Sequence, residues 1–121
     1  MTKHYILAAD DEPMNQIIFE ELLDERFELE CVDNGLECLE SVHNRKPDLI
    51  LMDVNMPEID GIEACQRIKD SMEGARIPII MVSALASKIE IEKGLEAGAD
   101  AYISKPFREE ELLKLIGQYL T

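Results

Sequence analysis

The sequence predicts an α/β fold, a (βα)5 doubly wound parallel sheet with strand order 2-1-3-4-5. Three observations predict it. The runs Leu49-Ile50-Leu51-Met52 and Ile77-Pro78-Ile79-Ile80-Met81-Val82 are almost wholly apolar, and each ends in a polar residue, Asp53 or Ser83. Runs of this kind suit strands buried on both faces, as in parallel sheets. Strand-like and helix-like segments alternate along the whole chain with short connections, which implies a sheet covered by helices on both sides. Reactive and charged residues fall at the strand ends, outside the carboxyl edge where open parallel sheets bind ligands.

The elements follow in order. Tyr5-Ile6-Leu7-Ala8-Ala9 is a short apolar strand that runs into Asp10-Asp11-Glu12. Pro13 stands where a first helical residue belongs, and Ile17, Ile18 and Leu22 give helical spacing to about Glu25. Phe27 to Val32 begins by alternating apolar and polar residues, which predicts an edge strand with one wet side. Asp33-Asn34-Gly35 is a turn signal; Leu36, Leu39 and Val42 mark a helix that ends near Lys46, before Pro47.

The third strand spans Asp48 to Asp53, and its loop holds Pro57 and Gly61 as breakers. Ile62, Cys65 and Ile68 mark the third helix, and Ile77–Val82 the fourth strand, with Pro78 near its start. A weaker helix from Ala86 to Ala97 carries Ile89 and Leu95 and is closed by Gly98. Ala101 to Ser104 is a last strand, followed by Lys105-Pro106. The final helix shows a stripe of Leu112, Leu113, Ile116 and Leu120, with Glu109, Glu110 and Glu111 suited to its first turn.

The chain has 121 residues and reads as one domain with one core. Its formal net charge of −14, from 12 Lys+Arg against 26 Asp+Glu, argues against direct binding to nucleic acid or anionic membranes. The cysteines Cys31, Cys38 and Cys65 are scattered, which suggests neither a zinc site nor a disulfide framework but buried thiols in a reducing compartment. No signal-peptide pattern or membrane-length apolar run is present, so a cytoplasmic location is expected.

Four strands end in Asp10-Asp11, Asp53, Ser83 and Lys105. With strands one and three adjacent at the switch point, Asp10, Asp11 and Asp53 crowd into one pocket. Three carboxylates do not all stay ionised side by side without a cation, and hard oxygen ligands with room for water suit Mg²⁺, with Mn²⁺ as a substitute. Lys105 adds a positive charge, and Ser83 offers a hydroxyl donor. The set is a parts list for phosphoryl transfer to the Asp53 carboxylate: nucleophile, metal, cation and donor.

These residues also carry a family resemblance. The chain resembles a response-regulator receiver domain of two-component signalling, with a flavodoxin-like fold, over essentially its whole length, 1–121. The carriers are Asp10-Asp11-Glu12-Pro13, then Met52-Asp53-Val54-Asn55-Met56-Pro57 with Asp60-Gly61, then Ser83-Ala84, then Tyr102-Ile103-Ser104-Lys105-Pro106-Phe107. The intervals between Asp53, Ser83 and Lys105 match as well.

The resemblance implies that Asp53 takes a phosphoryl group from a phosphohistidine on a partner histidine kinase or histidine phosphotransfer protein. It implies that Asp11 binds Mg²⁺ directly, Asp10 through water, and Asn55 through its backbone carbonyl. Ser83 and Lys105 would contact the phosphoryl group, Tyr102 would change rotamer as Ser83 moves, and the Lys105–Pro106 bond would be cis. Phosphorylation would then remodel the surface of helix four, strand five and helix five. Such a chain is no enzyme beyond its own phosphorylation and dephosphorylation. The output partner is left open, as is homodimerisation through helices four and five, and whether the chain acts alone or within a longer protein. Leu85 and Asn55 flank the site and are expected to influence phosphoryl lifetime.

Plainer roles stand beside these. Asp10 and Asp11 also suit a helix start, Ser83 a helix cap, Lys105 a surface position and Tyr102 simple packing; Asn15 reads equally well as a solvent-facing polar residue. Two rival functions stand beside this one, the first sharing a strand-end aspartate nucleophile and Mg²⁺, the second sharing the topology. Asp53-Val54-Asn55 is similar to the start of haloacid-dehalogenase phosphatase sites, but those place an aspartate where Asn55 stands. A flavodoxin-like electron carrier needs a phosphate-cradling loop after strand one, where Asp10-Asp11-Glu12 would repel phosphate.

Overall fold

The computed structural model describes residues 3–84 and 87–120. Its elements are β1 (Tyr5–Ala9), α1 (Pro13–Leu23), β2 (Glu28–Val32), α2 (Gly35–Asn44), β3 (Leu49–Met52), α3 (Gly61–Asp70), β4 (Ile79–Ser83), α4 (Lys88–Glu96), β5 (Ala101–Ser104) and α5 (Glu109–Tyr119). The strands form one parallel sheet in the order β2-β1-β3-β4-β5. This is the predicted doubly wound architecture. β1, β3 and β4 are buried at every position, whereas β2 at the edge alternates between exposed and covered residues.

Local chemistry starts the helices. Pro13 opens α1 with its fixed φ and no wasted N–H. Asn34, Asp60 and Ser87 cap α2, α3 and α4, their side chains accepting from the amides of Glu37, Glu63 and Glu90. In α5 three glutamates in the first turn face the helix dipole in place of a side-chain cap. Helices of 9 to 11 residues are too short to persist alone, so packing against the sheet must fix them.

That packing falls into two separate layers, because strand residues alternate sides. On one side Leu7, Ile50, Met52, Ile79 and Met81 meet Cys38 and Val42 of α2 and Ala64, Cys65 and Ile68 of α3. On the other, Ile6, Leu49, Leu51, Ile80 and Val82 meet Phe19 and Leu23 of α1 and Leu112 and Ile116 of α5. Each fully buried Leu or Ile contributes about 1.5–3 kcal/mol relative to exposure. At the amino end of the sheet, Lys69 Nζ donates to Ile77 O (2.6 Å) and Asp100 Oδ2 (3.0 Å). The same Asp100 oxygen accepts the Ile79 amide at 2.8 Å, and the Tyr119 hydroxyl donates to Asp100 O at 3.0 Å.

Several details differ from the sequence reading. β3 is shorter than Asp48–Asp53; Asp48 instead brackets the start of β1, its side chain accepting the Tyr5 amide at 2.7 Å. Likewise β2 begins after Phe27, β4 begins at Ile79 after Pro78, α1 ends at Leu23, and α2 at Asn44. Two helices bury residues other than the apolar ones that mark them in the sequence. Ile17 and Ile18 are exposed, and α1 buries Phe19 and Leu23 instead. Ile89 and Leu95 are exposed at 65% and 45%, and the buried side of α4 is Gly94, followed by Ala97 at its cap. The proposed start of that helix, Ala86, lies outside the described residues. Cys38 and Cys65 are buried, but Cys31 on the edge strand is only partly covered.

Candidate functional site

The strand ladders continue past the strand ends and carry the carboxylates with them. The Asp10 amide donates to Val32 O (3.0 Å), and the Asp53 amide donates to Ala9 O (2.9 Å). The exits of β1 and β3 are thereby held side by side. On the far side of the switch point, the Lys105 amide donates to Ser83 O at 2.9 Å, joining the exits of β4 and β5. The Lys105–Pro106 bond is cis.

These constraints bring the predicted residues into one nest. Carboxylate oxygens of Asp10, Asp11 and Asp53 lie within 4.8 Å of one another. Lys105 Nζ donates to Asp10 Oδ2 at 3.0 Å and to Asp53 Oδ2 at 3.4 Å. Asp10 is fully buried and Asp53 is 6% exposed, whereas Asp11 stands in solvent. Asp10 Oδ1 accepts the Glu12 amide (3.0 Å) and the Asn15 amide group (3.4 Å). Asp53 Oδ1 accepts the Asn55 amide at 3.3 Å.

Burial pushes the Asp53 pKa up; the Lys105 charge pulls it down, Asp10 pushes it up again, and the net direction is upward. Burial disfavours the Lys105 ammonium, but its hydrogen bond to Asp10 and the charges of Asp53 and Asp10 outweigh that and hold its pKa above the ordinary lysine value. Among the described residues three carboxylates thus face one ammonium, and the raised Asp53 pKa is chiefly the mark of a carboxylate taken out of water, with the opposing charges of Lys105 and Asp10 second to it. Carboxylate oxygens at this spacing, partly open to water through Asp11, are the donor set of a hard divalent cation.

Ser83 ends β4 fully buried, in register with Ser104 of β5. Tyr102 is half-buried on β5 and packs with the α2/α3 layer; its ring lies against Gly94 of α4. Pro106 is exposed and Asn55 stands at the rim. Leu85 lies outside the described residues. An apolar groove of about 540 Å³ adjoins the nest, lined by Ile18, Phe19, Leu22, Lys105, Pro106 and Phe107 among others. Phe19 and Phe107 stack there with ring centroids 6.0 Å apart.

Sequence reasoning missed Gln16 and left Asn15 open. Both sit in the first turn and a half of α1, where the Pro13 start aims them back at the strand exits. That start was the one available signal. Gln16 Nε2 donates to Asp10 O and to Asp33 Oδ1, both at 2.7 Å.

The response regulator receiver domain model matches residues 6–117 of this sequence. The chain belongs to this family. It is a receiver domain of two-component signalling. The chemotaxis protein CheY of Halobacterium salinarum is 38% identical over 122 aligned residues, covering 100% of this chain and 99% of that protein. The polar-differentiation response regulator DivK of Brucella anthropi is 36% identical, covering 95% of this receiver and 94% of DivK.

Solved structures agree. The receiver domain of a Pseudomonas aeruginosa sensor histidine kinase superposes with a TM-score of 0.91 at 32% identity, covering 98% of both chains, and it holds a magnesium ion in its active-site cleft. The chemotaxis response regulator CheY4 of Vibrio cholerae superposes with a TM-score of 0.91 at 30% identity, covering 98% of this receiver and 100% of CheY4. No described helix of this receiver is long and apolar enough to cross a membrane.

Proposed function

We propose that this receiver, residues 1–121, is a single phosphoacceptor domain in which Asp53 is esterified by a phosphoryl group. The observation that supports this reading is one buried carboxylate, Asp53, held 3.4 Å from Lys105 within an acidic nest at the strand ends. The donor is a phosphohistidine of a partner histidine kinase or histidine phosphotransfer protein. An Asp53 oxygen forms the new P–O bond, the P–N bond to imidazole breaks, and the electron pair leaves with the imidazole nitrogen, which takes a proton. Hydrolysis of the acyl phosphate by water restores the carboxylate, so the only turnover is the protein's own.

Asp10, Asp11, Asp53 and the Asn55 backbone carbonyl would hold Mg²⁺, with Mn²⁺ as a substitute, and Asp10 would act mainly through water. The bound cation supplies charge neutralisation for the phosphoryl oxygens. Asp10 keeps the Lys105 ammonium beside the reacting oxygen, ready to pair with a phosphoryl oxygen. Ser83 donates its hydroxyl to another, and Tyr102 follows Ser83 inward. The added charge of about −1.5 to −2 biases a two-state surface made by α4, β5 and α5.

Exposed Ile89 and Leu95 on α4 support that surface as the output face, for a partner protein or a second copy of the chain. The location is cytoplasmic. Mass spectrometry after incubation with acetyl phosphate and Mg²⁺ tests the reading. Wild type gains one phosphoryl group and Asp53→Asn gains none; equal gain on both removes Asp53 from the role.

A further inference from the structure

We infer that Gln16 is a positioning residue for Mg²⁺ binding: its side-chain amide clamps the Asp10 backbone to Asp33 and so sets how tightly the acidic nest holds the ion. The inference rests on the metal reading proposed above. Gln16 Nε2 has two hydrogens and uses both, one on Asp10 O and one on Asp33 Oδ1, each at 2.7 Å. These are at the short end for N–H···O bonds.

Both anchors are themselves held. The Asp10 amide donates to Val32 O at 3.0 Å, and the Asp33 amide donates to Glu37 Oε1 at 2.9 Å. Gln16 therefore closes a ring through α1, the exit of β1, the exit of β2 and the first turn of α2. The chemistry favours a neutral amide at this point. Repulsion among Asp10, Asp11 and Asp53 pushes the Asp10-Asp11 segment outward when no cation is present. A donor on the Asp10 carbonyl resists that push. Being uncharged, it adds no positive charge to compete with a divalent ion. It also ties down the exposed Asp33 carboxylate by a donor on α1.

Loss of outer contacts that orient metal ligands typically weakens binding by 10–100-fold. Isothermal titration with MgCl₂ alone tests the clamp, on wild type, Gln16→Met, Asp33→Asn and Asp33→Ala, and on Gln16→Met combined with each Asp33 change. Thermal unfolding in EDTA runs beside it. Asn at 33 removes the charge but keeps an acceptor oxygen, so Asp33→Ala against Asp33→Asn isolates the hydrogen bond.

Gln16→Met is expected to raise the Mg²⁺ Kd about 10-fold while the Tm in EDTA stays close to wild type. Asp33→Ala is expected to bind several-fold more weakly than Asp33→Asn when Gln16 is present, and equally when it is Met. A wild-type Kd in Gln16→Met, a change in Tm alone, or equal binding by the two Asp33 variants beside Gln16 would overturn the clamp. Failure of wild type to bind Mg²⁺ at all is a different result. It removes the metal reading first, and the clamp with it.

Discussion

Asp53→Asn is expected to make the metal-free protein more stable, and the structure supplies the magnitude. The Lys105 ammonium lies 3.4 Å from Asp53 Oδ2, an attraction of about 5 kcal/mol at an effective dielectric of ~20. The buried Asp10 carboxylate, within 4.8 Å, opposes with about 3.5 kcal/mol, and exposed Asp11 adds a smaller, solvent-screened repulsion. The charges nearly cancel. What remains is the removal of the Asp53 carboxylate from water, the first cause of its raised pKa. That penalty is several kcal/mol for a buried ion, and the net attraction of about 1.5 kcal/mol left by Lys105 over Asp10 offsets part of it, leaving about 2 kcal/mol. For a chain of 121 residues, about 2 kcal/mol corresponds to a rise in Tm of about 8 °C.

The pH dependence has a definite sign. Asp53 holds its proton to higher pH in the fold than in the unfolded chain, so wild type loses stability as pH rises from the ordinary carboxylate value of 3.8 through the raised one. The advantage of Asn is therefore full above that window and absent below it. Saturating Mg²⁺ stabilises wild type more than the variant and narrows the gap. Thermal or urea unfolding in EDTA across pH, then with Mg²⁺, is the assay. An Asn variant less stable than wild type at neutral pH in EDTA, or one whose advantage persists unchanged in acid, would refute the electrostatic account.

Three further outcomes can be checked in the same way. Glu58 has φ of 70°, in the left-handed region that penalises side chains, so Glu58→Gly should gain about 0.5–1 kcal/mol in urea unfolding after the entropy of Gly is counted. A Cβ on Gly61 would sit 2.1 Å from Asp53 O, so Gly61→Ala should lose about 3 kcal/mol or more and displace the β3 exit, read as both lower Tm and slower phosphorylation by acetyl phosphate. Burial pushes the Cys38 thiol up to about 12 and Cys65 up to about 11, so both should resist thiol reagents in the folded protein and react fully in urea.

What the sequence disclosed and what it hid divide along physical lines. β3 and β4 were legible because a strand buried on both faces must be apolar at every position. Asp53 and Lys105 were legible as neighbours because parallel strands all deliver their ends to one edge. The core face of α4 was not legible. It is built from Gly94 and Ala97, small residues that let the helix approach Tyr102 and Met81, while the larger Ile89 and Leu95 face solvent. Counting large apolar residues therefore selects the wrong side. α1 differs, because its core face is itself large, Phe19 and Leu23, and it leaves the equally apolar Ile17 and Ile18 outside, so residue size does not pick the side there. The bridge from Gln16 to Asp33 joins residues 17 apart on different elements, and no local pattern encodes it.

The division of the interior into two layers has an outcome for how the molecule tolerates change. The strand backbones form a bulkhead, with Leu7, Ile50 and Met81 on one side and Ile6, Leu51 and Ile80 on the other. A side chain that outgrows its place among α2 and α3 can press on that wall but has no partner across it. Mutational drift in one chamber should leave the other free to keep its own solution, so paired variants drawn from opposite chambers combine without penalty or rescue.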